Sequence, residues 1–467
     1  MTYWCATAII DGVAVEGVRI RAQDGRIEQV ERADPAPGDV LLGTVLPGMA
    51  DAHSHAFHRA LRGRTNADGG DFWRWRERMY QAAAALDPSL YRELATAVFA
   101  ELLVSGWTAV GEFHYLHFAP DGTPYDEEHA MERALIDAAT TVGIRLTLLD
   151  TLYLAGGIGL PLSPAQRRFG DASAEAWLER WTSLRDLDRP GVTIGAAFHS
   201  VRAVPREALA AALALLPADI PLHIHLSEQP AENDDCLRAY GLTPTGLLHE
   251  LAALGPRLSV VHATHLTDAD IALLGASRVT VVMCPTTEAD LGDGIGPARR
   301  LADAGCHIAL GSDQNAVADP FLEARGLEYG ERLASGARGR FSPAALGDAL
   351  GTDGYTSLGE RGGIAVGAWC DLVDVDAASR RTVGSAPEQL WLTATSADVR
   401  RVIVGGRIVA ENGLLADGAD PARLLAAALA ALDAVLLGST PTTAAAATTA
   451  ATAAELSTAK TVDGTAR

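Results

Sequence analysis

Val45-Leu-Pro-Gly-Met49, followed at once by Asp51-Ala-His53-Ser-His55, reads as an apolar strand that runs into two histidines. On an extended backbone alternate side chains point the same way, so His53 and His55 share a face and can grip one metal ion. Imidazole nitrogen suits zinc and other borderline metals. A lone His-x-His also arises by chance in loops, so the rest of the chain has to decide. His225 stands at the end of the apolar run Ile220–Leu226, and Asp313 at the end of Ile308–Asp313. Four candidate ligands just past strand-like runs is the pattern of a parallel αβ barrel, whose active site lies at the C-terminal ends of its strands. Three nitrogens and one carboxylate leave a position open for water, as a catalytic metal requires.

Outward from these runs, apolar segments alternate with amphipathic helical stretches. Strands are expected at Thr44–Met49, Thr108–Phe113, Ile144–Asp150, Val192–Phe198, Leu222–Leu226, Leu258–His262, Val279–Cys284 and His307–Gly311, with helices such as Leu90–Val104 and Glu127–Val142 between them. Eight such units make an α/β protein with a closed (β/α)8 barrel. Short strands with Gly turns fill Thr2–Ile10, Val13–Ala22 and Arg26–Glu31, and return at Asp371–Asp376 and Val399–Glu411. Val402–Val409 reads as a hairpin. Two β-rich pieces at opposite ends suggest one small β-sandwich domain built from both termini. The expected division is residues 1–46 and 359–416 for that domain and 47–358 for the barrel. A C-terminal helix takes 417–438, and a disordered Ala/Thr-rich tail takes 439–467.

A chain of 467 residues, 48% hydrophobic, is ample for one large domain and a smaller companion. Net charge is −21, which argues against a nucleic-acid or anionic-membrane partner. It leaves a locally basic pocket for a small anion possible. Five scattered cysteines without CxxC spacing read as buried residues of a reducing compartment. No signal sequence and no bilayer-length apolar run is present, so a cytoplasmic enzyme is expected.

The set His53-x-His55, His225, His262 and Asp313, spread over an eight-stranded barrel with a split β domain, resembles the amidohydrolase superfamily. Many members bridge two metals with a carboxylated lysine at the end of the fourth strand. Here Lys460 is the only lysine, and the fourth strand ends in Phe198-His-Ser-Val-Arg202. That composition excludes a lysine-bridged pair and leaves the mononuclear branch, to which deaminases belong. The resemblance implies one zinc ion on His53, His55, His225 and Asp313, and a proton shuttle at Glu228 in His225-Leu-Ser-Glu228. The chemical need is plain: water must lose a proton to attack, and a departing amine must gain one. His262, ending Ser259-Val-Val-His262, would stabilise the developing charge, and Asp313 would also accept a proton from the water. A helix-terminal surface Glu and a satisfied core His are the plainer readings of Glu228 and His262. His265 reads as structural.

Phe72-Trp-Arg-Trp-Arg-Glu77, Glu112-Phe-His-Tyr115 and His199-Ser-Val-Arg202 fall in or beside loops at the barrel top. Trp73 and Trp75 read as packing beneath a loop. Two arginines and a tyrosine at one mouth suit a substrate with carboxylates, which guanidinium binds bidentately. Taken singly, each arginine reads equally as a surface ion pair. Together with His53-Ser-His-Ala-Phe57 and His225-Leu-Ser-Glu228, these segments resemble the formimidoylglutamate deiminase family of histidine degradation. That resemblance implies hydrolysis of N-formimino-L-glutamate to N-formyl-L-glutamate and ammonia by a homodimer. It also implies that Arg76 and Arg202, with Tyr115 and His199, hold the two carboxylates. The chain departs from the family pattern at His58, where members often carry Gln near the substrate. A histidine can still donate a hydrogen bond but differs in size and titrates, which puts the choice between formimino-glutamate and formimino-aspartate in question. The rival readings are a mononuclear deaminase of a guanine-type base, which would leave the arginines unused, and a metal-bearing scaffold without activity.

Overall fold

The computed structural model describes residues 1–65 and 72–438, the side chains of residues 72–74 apart. The tail expected at 439–467 lies outside the described residues, as does the side chain of Trp73. The first sheet opens with β1 (Thr2–Ile10), β2 (Val13–Gln23), β3 (Arg26–Arg32) and β4 (Val40–Pro47). The chain then leaves for the barrel: β5 (Met49–Ser54), β6 (Trp107–His114), β7 (Arg145–Leu152), β8 (Val192–Phe198), β9 (Leu222–Leu226), β10 (Leu258–His262), β11 (Thr280–Met283) and β12 (His307–Leu310). It returns to the first sheet with β13 (Leu372–Val375), β14 (Val399–Val404), β15 (Arg407–Glu411) and β16 (Leu414–Leu415).

The terminal sheet runs in the order β16-β15-β14-β13-β4-β1-β2-β3. Its two halves join where β13 pairs antiparallel with β4, Leu372 opposite Pro47. Tyr3, Ile20, Leu42, Leu372 and Ile403, from strands spread across the sheet, share one apolar cluster. The Tyr3 hydroxyl donates to the Gly406 carbonyl (2.9 Å), so the sheet curls until its hairpin ends meet. The hairpin expected at 402–409 turns on Gly405 and Gly406, both in the left-handed region (φ 56° and 70°). A two-residue hairpin loop that matches strand twist requires that conformation.

In the barrel sheet the strands follow chain order from β5 to β12, each parallel to the next. Closure runs through a single bridge between Ser54 and Asp313. There the Asp313 amide donates to the His53 carbonyl (2.8 Å) and the His55 amide to the Asp313 carbonyl (2.9 Å). The approach is possible because residue 311 is glycine: a Cβ there would lie 2.7 Å from the His53 carbonyl oxygen.

One boundary differs from the expectation. Thr44–Pro47 belongs to β4 of the terminal sheet, and the first barrel strand is Met49–Ser54. The apolar run ends in the terminal sheet, and the barrel strand is the polar Met-Ala-Asp-Ala-His-Ser, buried at every position. Its Asp, His and Ser side chains are satisfied inside the protein, so hydrophobicity does not mark it. The helix Pro421–Leu436 starts from an Asp420 cap and packs on Pro88–Val104, itself capped by Asp87. Among the described residues no helix is long and apolar enough to cross a membrane.

Candidate active site

His53 is the penultimate residue of β5 and His55 follows its end; His225 is penultimate in β9, His262 ends β10, and Asp313 stands three residues past β12. The backbone is bent to aim these groups. Ser227, His262, Ala263, Asp313 and Asn315 have φ of 48°, 70°, 50°, 46° and 56°, a region non-glycine residues seldom adopt. Such strain collects where a side chain must be held in a chosen direction.

His53 Nε2 and His55 Nε2 each lie 3.5 Å from Asp313 Oδ1, and His225 Nε2 lies 3.1 Å from His53 Nε2. His55 Nδ1 donates to the Phe113 carbonyl and His225 Nδ1 to the His199 carbonyl, both at 2.9 Å. Those bonds place the proton on Nδ1 and turn the Nε2 lone pair inward, as outer partners of metal ligands do. Burial pushes His53 and His225 well below the usual imidazole range and, with the neighbouring His53, takes His55 down to about 3. Three neutral imidazoles and a carboxylate converge without enough protons to satisfy one another, and a divalent cation fits that donor set. His262 closes a further triangle with His53 and His225.

A layer beneath fixes these candidate ligands. Asp51 accepts from the Ser312 amide (2.8 Å) and hydroxyl (2.5 Å). The Asn315 side-chain amide donates to Ser54 Oγ, the His55 carbonyl and the Asp313 carbonyl (3.1–3.3 Å). Sequence reading passed over Asp51, Ser312 and Asn315; the signal available was the polar run Gly311–Asn315 directly behind a strand.

Glu228 lies two residues past β9, with Oε1 4.0 Å from His262 Nε2. On its other side, His262 Nδ1 faces Glu288 Oε1 at 3.6 Å. Burial alone would lower the imidazole, but the Glu288 contact and the charges of Glu228 and Asp313 push it up to about 10. These carboxylates favour the protonated imidazole, whose Nε2 faces Glu228 and Asp313.

One cavity joins this centre to the residues expected to read the substrate. His55, His225, Asp313, Glu228 and His262 line its floor, and His58, Arg76, Tyr115, His199 and Arg202 its wall. His58 Nε2 and the Tyr115 hydroxyl are hydrogen-bonded (2.9 Å), and burial holds His58 well below the usual imidazole range. Arg76 Nε donates to the Tyr80 hydroxyl (2.7 Å). Arg202 Nη2 donates to Glu228 Oε2 (3.1 Å). Trp75 is a cavity residue rather than packing alone: its indole N–H donates to Gln314, next to Asp313. Glu232, Glu288, Tyr80 and Tyr153 are neighbours that no short motif announced.

The sequence profile of the amidohydrolase family matches residues 44–409. The chain belongs to the amidohydrolase family. It is 39% identical over 408 residues to formimidoylglutamate deiminase of Pseudomonas aeruginosa, which covers 84% of this amidohydrolase and 90% of that protein. It is 30% identical to 8-oxoguanine deaminase of the same organism, over 89% of this chain and 94% of the other. Among solved structures, an amidohydrolase from Brucella melitensis superposes with a TM-score of 0.85 at 32% identity, over 92% of this chain and 99% of that one. An adenosine deaminase from Xanthomonas campestris with bound zinc shares the fold at a TM-score of 0.80 and 24% identity, over 93% and 98% of the two chains. The protein is thus an enzyme, a hydrolase acting on C–N bonds, and metal binding is a property of its family.

Proposed function

We propose that this amidohydrolase hydrolyses N-formimino-L-glutamate to N-formyl-L-glutamate and ammonia, with one zinc ion per subunit, as a step of histidine degradation. The observation that carries the reading is the meeting of Arg76, Arg202, Tyr115 and His199 in the cavity that also holds Glu228, His55, His225 and Asp313. A strongly acidic chain that gathers two arginines at its reaction centre is built for an anionic substrate. The 39% identity to a formimidoylglutamate deiminase supports the same choice.

A zinc ion held by His53, His55, His225 and Asp313 would supply Lewis acidity and draw the pKa of water toward about 7. Glu228 and Asp313 take the proton of the attacking water, and Glu228 delivers it to the departing ammonia. His262 donates from Nε2 to the charge that develops as water adds to the formimino carbon. The guanidinium groups of Arg76 and Arg202, with Tyr115 and His199, hold the carboxylates and fix the formimino carbon over the centre.

A second reading, deamination of a purine-type ring, is favoured by the 30% identity to 8-oxoguanine deaminase. Ammonia release by the zinc-loaded protein separates the two. N-formimino-L-glutamate, N-formimino-L-aspartate and 8-oxoguanine would be run side by side. Fast release from the glutamate compound is expected; release from 8-oxoguanine alone would overturn the substrate assignment. We also propose a cytoplasmic homodimer. All five cysteines are free and buried, which suits a reducing compartment, and sedimentation would read the assembly state.

A further inference from the structure

Behind Arg202 stands a carboxylate that the reaction above does not use. Glu232, in the first turn of the helix Pro230–Tyr240, has a side chain with no exposed surface. Neither of its carboxylate oxygens has a hydrogen-bond partner in good geometry. Its ion pair, among the described residues, is with Arg202 Nε at 3.3 Å. A buried carboxylate held this loosely is expensive for stability unless it serves another purpose.

Arg202 thus bridges two unlike carboxylates. Glu232 cannot leave: it is sealed at the start of a helix, where burial pushes its carboxyl up and the Arg202 charge pulls it back toward the ionised form. Glu228 can leave: its side chain is 15% exposed, and its other oxygen already faces His262. While Arg202 Nη2 donates to Glu228 Oε2, that oxygen is not available to carry a proton. A substrate carboxylate reaching Arg202 would put a third carboxyl group around one guanidinium. The arrangement relaxes when the mobile one gives up its bond.

We propose that Arg202 is a shared clamp: Glu232 anchors it permanently, and Glu228 occupies it only until a substrate carboxylate arrives, so that carboxylate binding frees the proton carrier. Glu232 is then a positioning residue, acting through Arg202. The inference rests on the carboxylate-substrate reading above. It adds that a missing carboxylate is felt in turnover as well as in binding. A bond between charged partners must break without replacement when the carboxylate is absent, which corresponds to about ten- to hundredfold in rate.

The test uses the zinc-loaded enzyme with N-formimino-L-glutamate and two analogues, N-formimino-4-aminobutyrate and N-formimino-L-2-aminobutyrate, each lacking one carboxylate. In the wild-type protein, kcat for one analogue is expected to fall at least about tenfold, beyond any rise in KM. In Arg202→Met, kcat for that analogue and for the parent compound should converge to within about twofold, because Glu228 is unlatched in both. Glu232→Gln should lower kcat/KM by about tenfold or more beside Arg202 and by less than about twofold in the Arg202→Met background. Analogues that raise KM while leaving kcat unchanged in the wild-type protein would overturn the clamp and leave the substrate assignment standing. Equal losses from Glu232→Gln in both backgrounds would make Glu232 merely structural and overturn its anchoring role. Silence of the wild-type protein on N-formimino-L-glutamate itself would overturn both readings. The analogue comparison uses unmodified protein, so it decides the matter even if a variant fails to fold.

Discussion

Glu228 is the residue on which the proposed chemistry turns, because it would carry the proton from water to ammonia, and it stands between His262 (4.0 Å) and Arg202 (3.1 Å). Glu228→Gln keeps the size and the hydrogen bond from Arg202 but cannot take up a proton. Turnover is expected to fall by about 10²–10⁴-fold with bound metal unchanged, read by ammonia release and by metal analysis of the same sample. Unchanged turnover would remove Glu228 from the proton path. At this scale much of the site was legible. The His53-x-His55 pair, His225 and Asp313 stand at or just past strand ends, where the sequence pattern suggested them, and Glu228 lies two residues past β9, where the family resemblance pointed. What spacing could not say is which groups are charged. His58 looked able to titrate near neutrality, yet its ring is buried against His55 and bonded to Tyr115, and burial keeps it neutral. His262 was expected to stabilise developing charge, but the carboxylates of Glu288, Glu228 and Asp313 that push its pKa up could not be placed around it from spacing.

Elements are positioned by contacts that no hydrophobic pattern records. Glu112-Phe-His-Tyr115 attracted notice for Tyr115, but His114 next to it belongs to a buried ion network behind the site. His117 Nε2 donates to the Thr151 carbonyl (3.0 Å), and His117 Nδ1 meets Glu132 (2.8 Å) and Asp150 (3.5 Å). Arg180 reaches Glu132 (3.3 Å), Asp150 (2.7 Å) and Asp171 (2.9 Å), and His114 Nε2 meets Glu132 at 3.3 Å. The network ties β6 and β7 to the helices Ala130–Val142 and Ala174–Leu184. Although His114, His117 and Glu132 have the spacing of a metal site, the Arg180 guanidinium already supplies the cation they face. His117 has acceptors on both ring nitrogens. Burial and the Arg180 charge lower it, but Asp150 and Glu132 outweigh them and leave it above its ordinary value. A group raised on folding stabilises fully below its unfolded pKa of about 6.5 and loses that contribution as pH rises through its folded pKa. His117→Asn should therefore lower the thermal midpoint most at pH 6, by the equivalent of about 3–5 kcal/mol. The gap to wild type should narrow as the solution becomes more alkaline. A gap that widens with pH would mean His117 is neutral in the folded protein. The first barrel strand was mislocated for a related reason: Met49–Ser54 is buried through polar partners, and sequence reading finds strands by their apolar side chains.

The whole molecule depends on a seam that the alternation of strands and helices could not show. Eight βα units announce a barrel but not how the eighth strand meets the first. Here the meeting is made by the candidate ligand residues themselves, through His53, His55 and Asp313 backbone bonds. Asp51–Ser312 and the Asn315 amide brace it from below. Gly311 permits it, and Gly311→Ala would push a methyl against the His53 carbonyl. That overlap is expected to cost about 1–3 kcal/mol and to weaken metal binding together with stability, because the displaced residue, His53, is itself a proposed ligand. Metal removal tests the same coupling without a substitution. His53 and His55 come from the first strand, His225 from the fifth, and Asp313 from beyond the eighth, so an ion held by all four crosses the seam. Anything that binds the folded state alone stabilises it by mass action, about 4 kcal/mol when free metal exceeds its dissociation constant a thousandfold. Dialysis against a chelator should therefore lower the thermal midpoint and abolish ammonia release together, and added zinc should restore both. If activity vanished while the midpoint stayed fixed, the seam would be held by its hydrogen bonds alone. The metal would then be a passenger of a barrel already closed.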